Sequence, residues 1–597
     1  SIGTRAGLPD ANVLGTMNLN RNRSNGLSFM AIPYLEATLT KGLVFRTTAN
    51  YNFVGVYENN YRNPIYGDSR LYGGSVGIGN TFASIYTWNQ VLTYDKTFLK
   101  DHSISLMVAH ENYALNSRGM SASRRGLPVR NIYDLAGAAV AVSSTSGTDE
   151  DKMESFLSSA SYYYKNKYFF NANFRRDGSS RFSPANRWGN FWSVGGGYII
   201  SEEDFMKNST SFLKNFNLLK LKSSYGTQGN NGNNYYGYLG LIAVTLPNGT
   251  MPGGLVSQIA NPDLKWESQS MFNVGLDFTY NNRFRGEIAY YSKTNADQLY
   301  ARPFAHSTGI TSRLENSMTS VNSGFEVNLN LDVIQPSSSN PNGFLWNVDF
   351  NGSTQNNKIT KMPEGAQQDT LIQGNLIYVK GHSMYSYYLV ESAGKDEQGY
   401  ELYRYDSAGH ELTTTEFSKA NATGRKIVGT SYDKFYGSFT NTFRYKGFDL
   451  SFMLTYGLGG KYYDGAYQDL MGNGLSLGSN IHRDLLTDRW TFDNKEGALP
   501  RAEFNNVDIA NNSTRWLISR NYLNIRNVNI GYTFTPAVLK ETGISSLRIY
   551  LSCDNIWLFT KRRGMDPQSS ISGNNTAGAQ YNYPATRALI FGVSLGL

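Results

Sequence analysis

Apolar and polar side chains alternate with a period of two residues along much of the chain. The pattern is clearest near the C-terminal end, where apolar side chains occupy every second position: Leu589, Phe591, Val593, Leu595 and Leu597. It recurs at residues 43–53, 272–290, 435–458 and 523–534. Because successive side chains of a β-strand point to opposite faces, the pattern predicts many strands with one apolar face each. Such strands can build a wall between lipid and water.

Residues 435–458 form the clearest predicted hairpin. Its two strands carry their large apolar side chains on one face, at Phe435, Phe439, Phe443, Tyr445, Phe448, Leu450, Phe452, Leu454, Tyr456 and Leu458. Asp449, Ser451 and Thr455 lie on the opposite face. A soluble β-sandwich would bury the apolar face as its core, but so many strands without a helical layer are unusual in soluble domains. The pattern therefore favours a barrel with a wet lumen.

A change of phase marks one irregular strand. Leu523 and Ile525 share one phase of the alternation, whereas the apolar positions from Val528 onward share the other. One extra residue in a strand shifts the alternation in this way, so the sequence predicts a β-bulge at Arg526-Asn527.

Composition agrees with a membrane wall. Aromatic residues make up 14% of the 597 residues and charged residues only 17%, against about 25% charged residues in typical soluble domains. No stretch reaches the roughly 18 apolar residues of a membrane-spanning helix. Since only helices and closed barrels satisfy their backbone groups in lipid, the sequence predicts an all-β fold, a transmembrane antiparallel β-barrel.

The connections between the predicted strands alternate in length. Short ones follow Thr40, Asn166, Tyr280 and Tyr445, and long polar ones cover residues 116–152, 228–265, 359–430 and 460–514. Outer-membrane barrels have short periplasmic turns and long extracellular loops. We therefore expect the turns at Lys41-Gly42 and Lys446-Gly447 on the periplasmic side, together with a longer, partly helical connection at residues 201–215.

The pattern contains roughly 17 strands. The first, near residues 29–39, and the last both run toward the periplasmic side, whereas bacterial single-chain barrels have an even number of strands. We therefore expect this chain to supply roughly 17 of 22 strands, the size of a barrel whose lumen is plugged. Residues 1–597 would then be the C-terminal portion of a longer barrel protein.

Several segments are more specific than a generic barrel. They read R-R-D-G-S-S-R-F-S-P-A-N-R-W-G-N-F-W at residues 175–192, I-S-E-E-D-F at 200–205, L-L-K-L-K-S-S-Y-G at 218–226, N-P-D-L-K-W-E at 261–267, K-R-R-G-M-D-P at 561–567 and Y-P-A-T-R at 583–587. Together, and in this order over nearly the whole chain, they resemble the SusC family of TonB-dependent outer-membrane transporters from Bacteroidetes.

The resemblance implies a location in the cell outer membrane, in contact with its lipid, and uptake of a large nutrient energised through TonB. It also implies an internal plug, a TonB-contacting segment and an N-terminal extension, which we expect to lie outside this chain. A SusD-like surface lipoprotein would cover the mouth, commonly in a dimer of transporter–lipoprotein pairs. Oligosaccharides are the first expected substrate and oligopeptides the second. A passive porin and a non-transport adhesin are the alternatives.

Candidate substrate-binding residues cluster in the long connection 460–514, near the predicted mouth. They are Tyr462, Tyr463, Asp464, Tyr467 and Trp490. Aromatic faces stack on sugar rings, and a carboxylate accepts hydrogen bonds from hydroxyl groups. The alternative interpretation is that these rings pack the loop against its neighbours, and a peptide ligand could use the same rings.

Two further sets of residues have predicted positions in the wall. Arg526, Arg548 and Asp554 are predicted to face the lumen, where side chains tune selectivity. The tryptophans at positions 188, 192, 266 and 557 are predicted to form an interfacial girdle, since their rings suit the headgroup depth. The alternative for these tryptophans is stacking on sugar rings.

The sequence shows no pattern for catalysis or for a metal or cofactor site. The six histidines lack paired ligand spacing, no G-x-S-x-G elbow occurs, and the acidic run at residues 396–406 lacks the spacing of a calcium loop. Cys553 is the only cysteine, which excludes an internal disulfide. The net charge of +8 is spread without a dense basic block, so no nucleic-acid partner is expected. We therefore expect a protein that is not an enzyme.

Overall fold

The computed structural model describes residues 13–248, 251–304, 307, 309–337, 340, 342–363, 370–471, 481–502, 511–540, 543–562, 564, 566–569 and 585–596. Leu597, expected on the apolar face of the last strand, lies outside these residues. The described strands form one large antiparallel sheet and four small sheets.

The strands are β1 (Arg21–Ala31), β2 (Tyr34–Thr40), β3 (Leu43–Arg62), β4 (Ser75–Phe98), β5 (His102–Arg125), β6 (Val140–Tyr164), β7 (Tyr168–Ser179), β8 (Trp188–Ile199), β9 (Phe216–Asn230), β10 (Leu241–Asn248), β11 (Met251–Gln258), β12 (Glu267–Tyr280), β13 (Phe284–Pro303), β14 (Ser312–Ile334), β15 (Leu345–Thr354), β16 (Asn356–Lys361), β17 (Thr370–Gln373), β18 (Leu376–Val379), β19 (Ser386–Val390), β20 (Ser392–Lys395), β21 (Glu401–Ser407), β22 (His410–Thr414), β23 (Arg425–Thr430), β24 (Phe435–Tyr445), β25 (Phe448–Leu458), β26 (Lys461–Tyr463), β27 (Leu517–Ser519), β28 (Tyr522–Thr533), β29 (Ser546–Thr560) and β30 (Ala588–Gly596).

Helices are short. The α-helices are α1 (Val13–Leu19), α2 (Asp204–Lys207), α3 (Phe417–Thr423), α4 (Gly465–Leu470), α5 (Asp484–Thr487) and α6 (Pro536–Leu539), and 3-10 turns lie at Asp68–Tyr72, Leu135–Gly137, Ile200–Glu202, Phe212–Asn215, Thr514–Trp516 and Pro567–Ser569. Among the described residues, no helix has both the length and the hydrophobicity needed to cross a membrane.

The large sheet contains 19 strand segments and forms the wall of the molecule. β1 and β2 lie in line along β3, and β15 and β16 lie in line along β14, so each of these two pairs makes one crossing of the wall. Within the described residues the segments therefore make seventeen crossings. The predicted fold class, an antiparallel all-β wall, is confirmed.

The wall has two free edges in the part of the chain that the structure describes. β30 pairs there with β29 alone. β1 and β2 pair there with β3 alone. No described ladder joins the last strand to the first, so these strands form an open sheet.

The hairpin of β24 and β25 follows the prediction. Phe443 pairs with Leu450, so the large apolar side chains of the two strands share one face. The turn residues Lys446 and Gly447 have φ angles of +46° and +89°. A two-residue hairpin turn whose twist matches the strands requires positive φ at both positions.

The predicted β-bulge in β28 is confirmed. Ile525 and Asn527 have partners in β25 and in β29, but Arg526 between them is skipped in both ladders. The extra residue restores the apolar face, because Ile525 and Val528 then both oppose apolar residues of β25, Leu454 and Phe452.

Four neighbouring strands at the start of the wall are among the longest that the structure describes. β3, β4, β5 and β6 contain 20, 24, 24 and 25 residues, whereas about 9–11 residues cross a membrane. The prediction of a loop over residues 116–152 is therefore wrong: β5 and β6 continue through most of this range, and only residues 126–139 connect them. Tyr61, Val76, Leu127 and Ala138 form a small hydrophobic core at the top.

The largest buried hydrophobic cluster of the described residues lies in the long connections rather than in the wall. We call it the loop core; its members are Leu376, Tyr387, Leu389, Tyr463, Met471, Leu485, Leu499 and Trp516. Two small sheets, β17–β18–β19–β23 and β20–β21–β22, belong to the same region. The connections 359–430 and 460–514 thus fold together into one packed body.

Candidate functional site

The five predicted substrate-binding residues lie in this packed region of the long connections. Tyr462, Tyr463, Asp464 and Trp490 are each at most 5% exposed, and Tyr467 packs against the loop core from its edge. β26 supplies the first two and pairs with β27, which follows Trp516 directly in the chain.

The tyrosine hydroxyl groups of this cluster already have protein partners. The Tyr463 hydroxyl lies 2.8 Å from Gln468 Oε1 and 3.0 Å from Asn512 Oδ1, and the Tyr467 hydroxyl donates to Asp484 Oδ2 over 2.8 Å. Burial raises the pKa of Tyr463. Burial and the bond to Asp484 raise the pKa of Tyr467 to about 12. Both groups therefore remain protonated at neutral pH and act as donors inside the protein.

Asp464 is also engaged by its surroundings. One carboxylate oxygen accepts the backbone N–H of Tyr467 over 3.0 Å and caps α4. The other lies 2.9 Å from Nε of Arg562, and the Arg562 guanidinium covers the Tyr467 ring. A cation held between a carboxylate and an aromatic face ties the segment that follows β29 to the loop core.

Trp490 joins the two long connections. Its indole lies against Gly399, where a Cβ would come within 2.4 Å of the ring and where φ is +83°. The Arg501 guanidinium lies 4.8 Å from the Tyr400 ring centroid and 6.0 Å from that of Trp490. These contacts make the predicted residues part of the packing between loops. Their contact with a substrate stays a prediction.

The residues predicted to face the lumen fall into a polar network on β28 and β29. Arg548 donates to both carboxylate oxygens of Asp449, over 3.1 and 2.7 Å, and to Asn529. Asp554 accepts a hydrogen bond of 2.7 Å from Asn527. Arg526, the bulge residue, donates to Asn555. The face that carries Asp449 is the polar one of the β24–β25 hairpin, which agrees with a wet side of the wall.

A cavity of about 540 Å³ opens between β8 and β9. Its lining includes Arg175, Asp177, Phe191, Gln228, Asn230 and Trp266. We call it the β8–β9 cavity. The two strands pair only from Ser193 with Gly226 down to Ile199 with Lys220. Beyond this ladder they separate, and the space between them becomes accessible.

Aromatic rings and glycines shape this cavity. Trp266 packs against Phe182 and Phe191, with ring centroids 5.4 and 5.5 Å apart, and its indole N–H donates to a backbone carbonyl over 2.8 Å. The Phe191 ring lies so close to Gly189 and Gly229 that a Cβ at either position would meet it within 2.5 Å. The two glycines therefore allow the ring to lie flat against the backbone.

An arginine is fixed beside these rings. Arg175 donates to Asp177 over 2.6 Å and to Ser155 over 3.0 Å, and lies 3.4 Å from Glu111. Asp177 is buried, whereas the Arg175 side chain remains about a third exposed. A guanidinium held by two carboxylates and still open on one side can donate to oxygen atoms of a ligand.

From the sequence, stacking on sugar rings was only the alternative role of the tryptophans in segments 175–192 and 261–267, and Arg175 and Phe191 had no predicted role. The structure brings them together at the β8–β9 cavity, where Trp266 and Phe191 are in contact. Of the predicted girdle, Trp192 and Trp557 are 42% and 50% exposed, and an interfacial belt requires exposed rings. Trp266 and Trp192 both line the cavity.

Comparisons with known proteins agree with this architecture. No family model matches the chain. TonB-dependent receptor P3 of Formosa agariphila is 26% identical over 98% of this chain and 59% of its own length. SusC of Bacteroides thetaiotaomicron is 26% identical over 76% of this chain and 44% of its own length.

The chain is similar to SusC-type TonB-dependent receptors. The structure of the RagAB peptide transporter matches it with a TM-score of 0.84 and 24% identity, over 97% of this chain and 62% of the matched one. The chain therefore shares the fold of this transporter, and the relatives named above are receptors. It spans about three fifths of the length of the first curated relatives it matches.

Proposed function

We propose that the chain forms most of the barrel wall of an outer-membrane nutrient importer that takes up oligosaccharides with energy supplied through TonB. The β8–β9 cavity is the observation that carries the substrate class. Trp266 and Phe191 offer ring faces to the apolar faces of sugars, and Arg175, Gln228 and Asn230 offer hydrogen-bond partners to hydroxyl groups.

The proposal includes parts that lie outside this chain. About five further strands would join the two free edges of the wall into a 22-stranded barrel, and a plug, a TonB-contacting segment and an N-terminal extension would precede them. Support comes from the free edges of β1–β2 and β30 and from the share of the relatives' length that this chain spans.

A SusD-like surface lipoprotein is the proposed lid, resting on the connections 359–430 and 460–514, in a dimer of transporter–lipoprotein pairs. These connections fold into one body with its own hydrophobic core, so they offer a firm surface rather than separate loops. They also expose large apolar side chains, such as Phe492 and Leu486, which interfaces use. Purification in mild detergent followed by mass spectrometry should recover the lipoprotein with the barrel. Repeated recovery of the barrel without it would contradict the lid.

Oligopeptides are the second candidate substrate. The exposed side of Arg175 could pair with a peptide carboxylate as readily as with hydroxyl groups, and RagAB, which shares the fold, is described as a peptide transporter. A passive porin is the third candidate, and it differs in needing no TonB.

Binding to the intact transporter–lipoprotein complex separates the first two candidates. Isothermal titration against oligosaccharide and peptide pools should show heat with oligosaccharides. Trp266→Ala should weaken this binding about tenfold, whereas the matched variant Trp557→Ala, on the outward face, should leave it unchanged. Tight binding of peptides with no binding of sugars would overturn the oligosaccharide assignment.

Uptake tests the energy source separately. Deleting the TonB-contacting segment from the full-length protein should abolish uptake of the bound oligosaccharide. Uptake that continues at the same rate would show a passive porin.

A further inference from the structure

The longest connection on the short-turn side that the structure describes in full is residues 200–215. It contains the 3-10 turn Ile200–Glu202, helix α2 and the 3-10 turn Phe212–Asn215. Hairpin turns on this side, such as Lys446-Gly447, need only two residues. Fourteen further residues are not required to join β8 to β9, which are neighbours in the wall.

The beginning of the connection is attached to the lipid-facing side of the wall. The Tyr168 hydroxyl donates to Glu203 over 2.8 Å, and Lys167 Nζ lies 3.4 Å from the same carboxylate. The Tyr168 ring stacks on Tyr198, with centroids 5.0 Å apart. Tyr168 shares its face of β7 with the exposed, apolar Phe170, which marks that face as the lipid side.

The end of the connection is attached in the same way. Asn215 donates from Nδ2 to the Tyr280 hydroxyl over 3.2 Å, and its carbonyl accepts the backbone N–H of Asn281 over 2.9 Å. Tyr280 continues the apolar face of β12 that carries Phe272 and Phe278. Both ends of the connection are thus held by hydroxyl groups of tyrosines on the lipid side.

Two phenylalanines between these attachment points are exposed. Phe205 is 62% and Phe212 is 65% exposed, although Met206 beside the first is buried. The connection therefore has a packed side against the wall and an apolar side that no described residue covers. Lys207 and Lys214 stand two residues beyond Phe205 and Phe212. Lys207 pairs with Glu202 over 2.6 Å, whereas the exposed Lys214 is in a position from which an ammonium group can reach a headgroup phosphate.

We infer that residues 200–215 are a membrane anchor, with Phe205 and Phe212 inserted at the boundary between headgroups and acyl chains of the periplasmic leaflet. The lipid-facing wall is continuous with the connection through Tyr168 and Tyr280, so its lower rim already lies at headgroup depth. Aromatic side chains and flanking lysines are the residues that bind there. The inference rests on the outer-membrane fold and is independent of substrate and energy source.

Spin labels test the depth of these side chains. Phe205→Cys and Phe212→Cys are made separately in a Cys553→Ser background of the full-length transporter, labelled with a nitroxide and reconstituted in phosphatidylethanolamine–phosphatidylglycerol vesicles. Asn208→Cys, an exposed position of the same connection, is the matched control. Power saturation compares collisions with oxygen, which concentrates in lipid, and with a water-soluble nickel chelate.

At positions 205 and 212 oxygen should be the stronger relaxant, by at least twofold over the nickel chelate, and the order should reverse at position 208. Nickel accessibility at 205 and 212 equal to that at 208 would place both in water and overturn the anchor. Shielding from both relaxants would place them against protein, such as a plug, and would equally overturn it.

A second measurement needs no substitution. The unmodified transporter is reconstituted with a photoactivatable phosphatidylethanolamine that carries its diazirine near the headgroup end of an acyl chain. Irradiation and peptide mapping should give lipid adducts on residues 200–215 at a yield comparable to that on the exposed apolar face of the wall. Adducts on the wall with none on this connection would contradict the inference.

Discussion

The β8–β9 cavity and the loop core have similar chemistry and opposite accessibility. Each combines aromatic rings with carboxylates and arginines. In the cavity, Arg175 and Trp266 keep part of their surface open, whereas in the loop core Trp516 is fully buried and Tyr463 nearly so. Aromatic and acidic residues near a predicted mouth therefore do not by themselves mark a binding surface.

Backbone geometry explains the difference. At the cavity, β8 and β9 stop pairing above Ser193, and two glycines let the Phe191 ring lie against the backbone without filling the space. At the loop core, several chain segments converge, and buried charged groups pair across them. Asp464 with Arg562 is one such pair, and Glu401 with Arg515 is another.

The largest expected effect comes from removing the centre of the loop core. Trp516→Ala should destabilise it by about 3–5 kcal/mol, because a fully buried ring leaves a large cavity. Hydrogen exchange of the reconstituted transporter, followed by mass spectrometry, should show faster exchange in β19 and β27 and unchanged exchange in β24 and β25.

The matched control is Trp557→Ala, where the ring is half exposed on the wall. Its effect on loop-core exchange should stay within about 0.5 kcal/mol. Equal loss of protection in the wall and the loop core of Trp516→Ala would show that the two regions unfold together, which contradicts their separation.

A smaller effect is expected at the buried ion pair. Glu401 accepts hydrogen bonds from Ser392 and Arg515 in a nearly inaccessible position. Arg515→Leu leaves the buried Glu401 carboxylate without its counterion and should cost about 2–3 kcal/mol of local stability at neutral pH. The measurement is hydrogen exchange of β21, and Glu411→Gln, in an exposed ion pair of the same small sheet, is the control.

The pH dependence of this pair has a definite sign. Burial raises the pKa of Glu401 above its ordinary value of 4.5, and Arg515 offsets this only in part. The folded protein therefore takes up the proton at a higher pH than the unfolded chain does. The free energy of unfolding of the wild type, relative to that of Glu401→Gln, should rise as the pH falls from the pKa of Glu401 in the folded protein toward 4.5. A relative stability of the wild type that decreases as the pH falls over this range would mean that Arg515 outweighs burial and lowers the pKa of Glu401.

The strands of the wall could be predicted from the sequence because lipid imposes a strict rule on them. A strand in the membrane must keep one face apolar, so the hairpin of β24 and β25 and the bulge at Arg526 are visible as phase and change of phase. Outside the membrane a strand need not keep one face apolar. Residues 140–150 of β6 are mostly small and polar, which is why that strand resembled a loop.

The cavity could not be predicted for a different reason. Its members come from segments about eighty residues apart in sequence, and Trp266 meets Phe191 only because β8, β9 and β12 are neighbours in the sheet. Each segment was recognisable alone, but the separation of β8 from β9 has no local pattern. The loop core was likewise invisible, because its residues come from two long connections without periodicity.

The smallest change decides the role of a residue that the sequence placed in the binding site. Tyr463→Phe keeps the ring and removes only the hydroxyl, leaving Gln468 and Asn512 without that donor, at a cost of about 1–2 kcal/mol to the loop core. If Tyr463 only packs, oligosaccharide affinity in titration of the intact complex should change less than twofold. A loss of tenfold or more, with hydrogen exchange of β26 unchanged, would show that the hydroxyl reaches the ligand, and the loop core would then belong to the binding surface together with the β8–β9 cavity.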